Sequence, residues 1–167
     1  MPTQDAAALT LRPHHLIDIL SYYDPTRPVE PWSSGNAVHV IANTLADSLD
    51  RKAKFVIGPD DICRPCSRLQ PDGSCTKMLD KHDPPESADE YNDRIDRRLL
   101  DFLGLPVGAE LTLRRFLEIV DSRTPGIEPV CTHPLQNPTE KLKGIIQGLV
   151  HLGIRKEGTA GRSARPE

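Results

Sequence analysis

The sequence predicts a small, mainly α domain with one short strand or hairpin and irregular cysteine-bearing loops around a metal site. Three observations carry that prediction. Apolar residues recur at helical spacing in five stretches. Sixteen prolines and eleven glycines break the chain between them. Three of the four cysteines fall within residues 63–75, and the fourth, Cys131, lies far downstream.

The first helix is expected to open at Arg12-Pro13, since proline is tolerated in an opening turn, and to run to Tyr22 or Tyr23. Leu16, Ile19, Leu20 and Tyr23 form its apolar stripe. His14 and Asp18 are four apart and share a face, with His15 beside them. A proline-rich connection follows, in which Trp32 is expected to plug the core. A second helix is expected over 35–51, facing inward through Val38, Ile41, Leu45 and Leu49. Lys54 to Ile57 reads as a short strand, stopped by Gly58-Pro59.

Beyond Cys75 a short helical piece is expected over 76–81, broken by Pro84-Pro85. Ser87-Ala88-Asp89-Glu90 is a capping-box pattern for a third long helix. That helix buries Tyr91, Ile95, Leu99 and Phe102 and stops at Gly104. Thr112 caps a fourth, with Leu113, Phe116, Leu117 and Val120 inward. Residues 122–138 read as an irregular loop around Cys131. The last helix is expected over 139–152, with Leu142, Ile145, Ile146, Leu149 and Leu152 buried. Gly144 and Gly148 would let another backbone approach it closely. The domain is therefore expected over residues 11–153, with 1–10 and 154–167 as flexible termini.

Composition narrows the function. Hydrophobic content is 37% and aromatic content 4%, a lean core that gains from a metal staple. The formal net charge is −3. Residues 154–167 hold four basic and two acidic residues, so the body carries about −5 by the same formal count. An acidic body argues against sequence-independent nucleic-acid binding. No stretch approaches a membrane span, and residues 1–10 lack a basic start followed by an apolar run. The expectation is a cytoplasmic protein with reduced thiols.

The cysteine loop reads Cys63-Arg64-Pro65-Cys66, eight residues, then Cys75. Two thiolates two residues apart can bind one centre from a single turn, which Pro65 stiffens. Arg64 is expected to favour the thiolate form. Pro71-Asp72-Gly73 is a turn signal that folds the chain back to deliver Cys75. Buried free cysteines are the bland alternative, but three in a polar loop are hard to place in a core. A disulfide needs an oxidising compartment. A thioredoxin-type pair should open a helix in a βαβ setting, and none is visible in the sequence.

Two phrases carry a resemblance: Arg12-Pro13-His14-His15-Leu16, and Gly58-Pro59-Asp60-Asp61-Ile62-Cys63. With Leu103-Gly104-Leu105 and Gly108-Ala109-Glu110-Leu111, they resemble a small bacterial and archaeal family whose members are regarded as iron–sulfur binding proteins. The resemblance covers roughly residues 11–120. It implies a cluster on the cysteine loop, and no reaction or substrate. Family members usually carry a cysteine where this sequence has Asp18, so the fourth ligand falls to Asp18 or to Cys131.

Three chemistries follow. The first is an iron–sulfur cluster held by Cys63, Cys66, Cys75 and Cys131, with 4Fe–4S favoured over 2Fe–2S, serving electron transfer or a partner redox enzyme. The second is structural zinc on the same sulfurs, or on three of them with His82 or His133, in a protein-interaction module. The third is a small metalloenzyme using His14, His15 and Asp18. Neighbouring helical residues diverge by about 100°, which sets His14 and His15 apart. The plainer expectation is that one histidine packs under the cysteine loop, oriented by Asp18. His39 and His151 read as helix-surface or core-edge residues.

Overall fold

The computed structural model describes residues 7–158. Of the expected flexible termini, 1–10 and 154–167, residues 1–6 and 159–167 lie outside the described residues. Within them the chain is helix-rich, with six α-helices and five short strands. No helix among the described residues is long and apolar enough to cross a membrane.

The first described element is β1 (Leu9–Leu11), which takes in two residues of the expected flexible terminus. Leu9 and Leu11 are buried and Thr10 half-buried, so this arm belongs to the core. Helix α1 (Pro13–Tyr22) follows, with proline in its first turn as expected. Leu16, Ile17, Ile19 and Leu20 are all buried. Helix α2 (Val38–Thr44) is shorter than the predicted 35–51. Gly35 sits at a φ of 76°, which a helix cannot absorb, and beyond Thr44 the chain tightens into a 3-10 turn at Ala46–Ser48. Val38, Ile41, Leu45 and Leu49 face inward regardless.

Strand β2 (Lys52–Phe55) alternates exposed lysines with buried Ala53 and Phe55, and starts two residues before the predicted strand. It pairs in parallel with β1, Leu9 opposite Ala53 and Leu11 opposite Phe55. The connection between them runs through α1 and α2, so a βαβ crossover exists that the sequence did not reveal. The cysteine loop follows β2 without opening a helix, so it is not a thioredoxin arrangement.

Residues expected to be helical over 76–81 instead hold β3 (Met78–Leu79), hairpinned against β4 (Glu86–Ser87). Helix α3 (Ala88–Leu103) starts where predicted. Ser87 Oγ accepts from the Asp89 N–H at 3.2 Å, one residue earlier than the capping-box pattern implies. Gly104, at a φ of 70°, ends the helix. Strand β5 (Glu110–Thr112) completes the sheet antiparallel to β2, giving the order β1-β2-β5.

Helix α4 (Leu113–Ser122) is capped by Thr112, which accepts from the Arg115 N–H. Phe116 stacks on Phe55 at 4.0 Å between centroids, fastening α4 to the sheet. The loop around Cys131 is not wholly irregular, because α5 (Glu128–Cys131) forms one turn there. Helix α6 (Pro138–His151) crosses α1 through its two glycines. A Cβ on Gly148 would lie 2.0 Å from the Leu20 carbonyl oxygen, and one on Gly144 2.0 Å from that of Ser21.

One further expectation fails. Trp32 is 51% exposed and plugs nothing. Ile154 and Arg155, at the start of the expected flexible C-terminal segment, are held against the fold. Ile154 packs on the core, and Arg155 donates to Asp121 Oδ1 at 2.5 Å and to the Thr124 carbonyl at 2.8 Å.

Candidate functional site

The site grows from the N-terminus of α1. A helix start leaves orphan N–H groups, and Arg12, at the cap position, makes no side-chain capping bond. Two remote carboxylates take over. Asp60 Oδ2 accepts from the Arg12 N–H at 2.7 Å, and Asp96 Oδ1 accepts from the His14 N–H at 2.9 Å. Both aspartates are fully buried. The Arg12 guanidinium donates to Asp96 Oδ2 at 3.0 Å and to Asp93 Oδ1 at 2.9 Å, balancing charge inside the fold.

The same carboxylates hold two imidazoles. His14 Nδ1 lies 2.8 Å from Asp96 Oδ1, and His15 Nδ1 lies 2.8 Å from Asp60 Oδ2. An ionised carboxylate only accepts, so each ring donates from Nδ1, and in its neutral form leaves a lone pair on Nε2. Neither Nε2 bonds to another described residue. The rings converge to 4.3 Å between centroids, although adjacent helical positions were expected to keep them apart. The expected partner, Asp18, orients neither ring. It pairs with the buried Lys141 of α6.

Asp60 also shapes the cysteine loop. Its Oδ1 accepts from the Ile62 and Cys63 N–H groups at 3.0 Å each. Burial alone would raise its pKa. The bonds from His15 and from the backbone outweigh burial and hold it at about 2. The Cys66 N–H donates to the Cys63 carbonyl at 2.9 Å, which closes the turn between these two cysteines. The Pro71-Asp72-Gly73 turn folds back as expected, with Gly73 at a φ of 86° and Leu69 bridged to Cys75. The Cys75 N–H donates to Asp89 Oδ2, in the first turn of α3, at 2.6 Å.

All four cysteines are free thiols and all line one cavity of about 670 Å³, together with His14 and His15. Asp18, His133 and Lys141 also border it. Burial, then the Asp60 charge, pushes the Cys63 thiol up to about 12. Burial raises Cys131 to about 11 against the pull of Lys141. Arg64, expected to favour thiolates, points away. Its side chain is exposed and pairs with Asp61 at 3.2 Å. A cation seated at the sulfurs would favour the thiolate form of Cys63 and Cys131 against this burial.

His82 stands outside the cavity lining but touches it through His133. Their Nε2 atoms are 2.8 Å apart, and His82 Nδ1 lies 2.9 Å from Glu86 Oε1. His39 is half-buried, and its Nδ1 is buried without a partner. His151 is exposed, its Nδ1 2.9 Å from the Tyr23 carbonyl.

No protein-family model, curated protein or solved structure matches this chain. The site therefore stands on its own residues. Three of them escaped the sequence reading: Asp60 as an anchor, Asp96 and Lys141. Asp96 and Lys141 carried a signal, since each is a charge inside an apolar stripe. Asp96 lies between Ile95 and Leu99, and Lys141 four residues before Ile145. A charge in such a place needs a buried partner.

Proposed function

We propose that the protein binds an iron–sulfur cluster through Cys63, Cys66, Cys75 and Cys131, and serves electron transfer or a partner redox enzyme in the cytoplasm. One observation carries this reading. Every cysteine of the chain lines the same cavity, although Cys131 comes from a separate element. When bound, such a cluster accepts and donates single electrons, and its potential follows the hydrogen bonding and burial of its sulfurs.

The spread of the sulfurs supports a cluster over a single ion. A tetrahedral zinc with Zn–S bonds of about 2.3 Å would draw its sulfurs to roughly 3.8 Å from one another. No three of these four sulfurs lie within 4.8 Å of one another. A 4Fe–4S cluster binds each sulfur to a different iron, and so suits a wider set. Asp18 is engaged with Lys141, which favours Cys131 as the fourth ligand.

Protein purified without oxygen should be brown, contain iron and acid-labile sulfide, and bleach with dithionite. Cys131→Ala should strip the cluster or convert it to a three-iron form, while Asp18→Ala should leave the spectrum nearly intact. A colourless protein holding one equivalent of zinc overturns the reading. Retention of the parental spectrum by Cys131→Ala removes Cys131 from the ligand set.

A further inference from the structure

We propose that His82 is a positioning residue for Cys131: its ring and that of His133 form a latch that fixes the Cys131 segment to the hairpin beyond Cys75. The value of that seat to a cluster rests on the four-cysteine reading. Cys131 ends the single turn of α5, and the hydrogen bonds around it are local. The Cys131 N–H donates to the Ile127 carbonyl, the Thr132 N–H to that of Glu128, and the His133 N–H to Gln136 Oε1. Helix α5 also packs on α3 and α6, but apolar packing is non-directional. The His133 ring, two residues after Cys131, adds a directed tie. Its Nε2 lies 2.8 Å from Nε2 of His82, which sits between β3 and β4.

The direction of that bond follows from the partners at its two ends. The Leu135 N–H donates to His133 Nδ1 at 3.3 Å, so this nitrogen carries the lone pair and Nε2 the proton. His82 Nδ1 lies 2.9 Å from Glu86 Oε1, and Arg94 donates to both oxygens of that carboxylate, at 3.1 and 2.9 Å. A carboxylate held this way only accepts, so His82 donates from Nδ1 and accepts the His133 proton at Nε2. Every ring nitrogen of the pair is thereby used once. The His82 side chain is only 5% exposed, so losing His133 would leave a buried acceptor unpaired. Tyr91 packs edge-on against both rings, at 4.8 and 5.2 Å between centroids, and holds them in register.

The test is alkylation of the metal-free, reduced, full-length protein by iodoacetamide, read cysteine by cysteine by peptide mass spectrometry. Cys131 is 5% exposed and reacts only when its segment opens. In His82→Ala it should react about 10-fold faster, the factor that loss of one buried hydrogen bond implies. The rates of Cys63, Cys66 and Cys75 should not change. His133→Ala and the double variant should show the same acceleration, because both residues act through one bond. His82→Gln, which offers a donor and an acceptor, should restore most of the protection. An unchanged Cys131 rate in His82→Ala overturns the proposal, as does equal acceleration of all four cysteines or an additive effect in the double variant. Should His82→Ala lose its circular dichroism, Glu86→Ala decides, since it frees the ring without emptying its place. It should accelerate Cys131 alone, and a parental rate there overturns the proposal. Protein prepared without oxygen tests the consequence for a cluster, where His82→Ala should raise the three-iron share. Iron and sulfide analysis of the parent reports on the four-cysteine reading separately, so either idea can fail alone.

Discussion

Replacing Gly148 with alanine should destabilise the protein by at least about 3 kcal/mol, the upper end of what overpacking costs. Against a typical total of about 5–15 kcal/mol, that removes roughly a fifth to three-fifths of the stability. The added Cβ would lie 2.0 Å from the Leu20 carbonyl oxygen, 2.9 Å from Leu20 Cδ1 and 3.0 Å from the Leu20 carbonyl carbon. Two of these three atoms are backbone and cannot rotate aside. Relief requires α6 to move off α1, which unseats Ile145 and Leu149 and parts Lys141 from Asp18. Gly144→Ala should behave alike through the Ser21 carbonyl. Urea denaturation followed by circular dichroism measures both, with the exposed Gln147→Ala as the control. A Gly148→Ala midpoint equal to the parent's would show that α1 and α6 do not touch so closely.

Asp60→Ala should cost about 4 kcal/mol and should abolish metal binding as well. The substitution orphans donors from Arg12, His15, Ile62 and Cys63 at once. Breaking one buried charged interaction typically costs about 3–5 kcal/mol. The loss has a pH signature. The carboxyl is held at about 2 in the fold, below its ordinary 3.8. As pH falls, the unfolded chain takes up this proton first. The stabilisation is thus complete above pH 3.8 and disappears as pH drops toward 2. The gap between parent and Asp60→Ala unfolding free energies should therefore narrow in that window. A constant gap between them down to pH 2 would deny Asp60 this role.

The helices were legible because burial writes itself at a period of 3.6. The inward residues of α4 and the stop at Gly104 needed no tertiary information. Neither did the close-approach glycines of α6. What stayed hidden depends on partners distant in sequence. Strand β1 is three residues long, too short for any alternation to register, and exists because β2 accepts it. The histidine partners show the same limit. Local spacing pointed to Asp18, four residues from His14, whereas the fold supplies Asp96 and Asp60, 82 and 45 residues from their histidines. Trp32 misled because a large aromatic ring ordinarily seeks the interior. Here it sits at the cavity's border instead. The cysteine cavity was half legible. The turn that returns Cys75 was readable from Pro71-Asp72-Gly73, while the approach of Cys131 was inferred from counting sulfurs.

The split between one local trio of sulfurs and one distant sulfur has a consequence for biosynthesis. A ribosome emits the chain from its N-terminus at about 5–20 residues per second. The loop holding Cys63, Cys66 and Cys75 is therefore exposed before α5 or α6 has been made. Any delivery machinery that acts early meets three sulfurs and an open flank. Cys131 arrives only with α5, whose position depends on α6 and its glycine contact with α1. On the four-cysteine reading, the closing ligand thus arrives only once α5 has been made and seated. A chain that stopped before α5 would lack that sulfur and would leave one flank of the cofactor open to solvent.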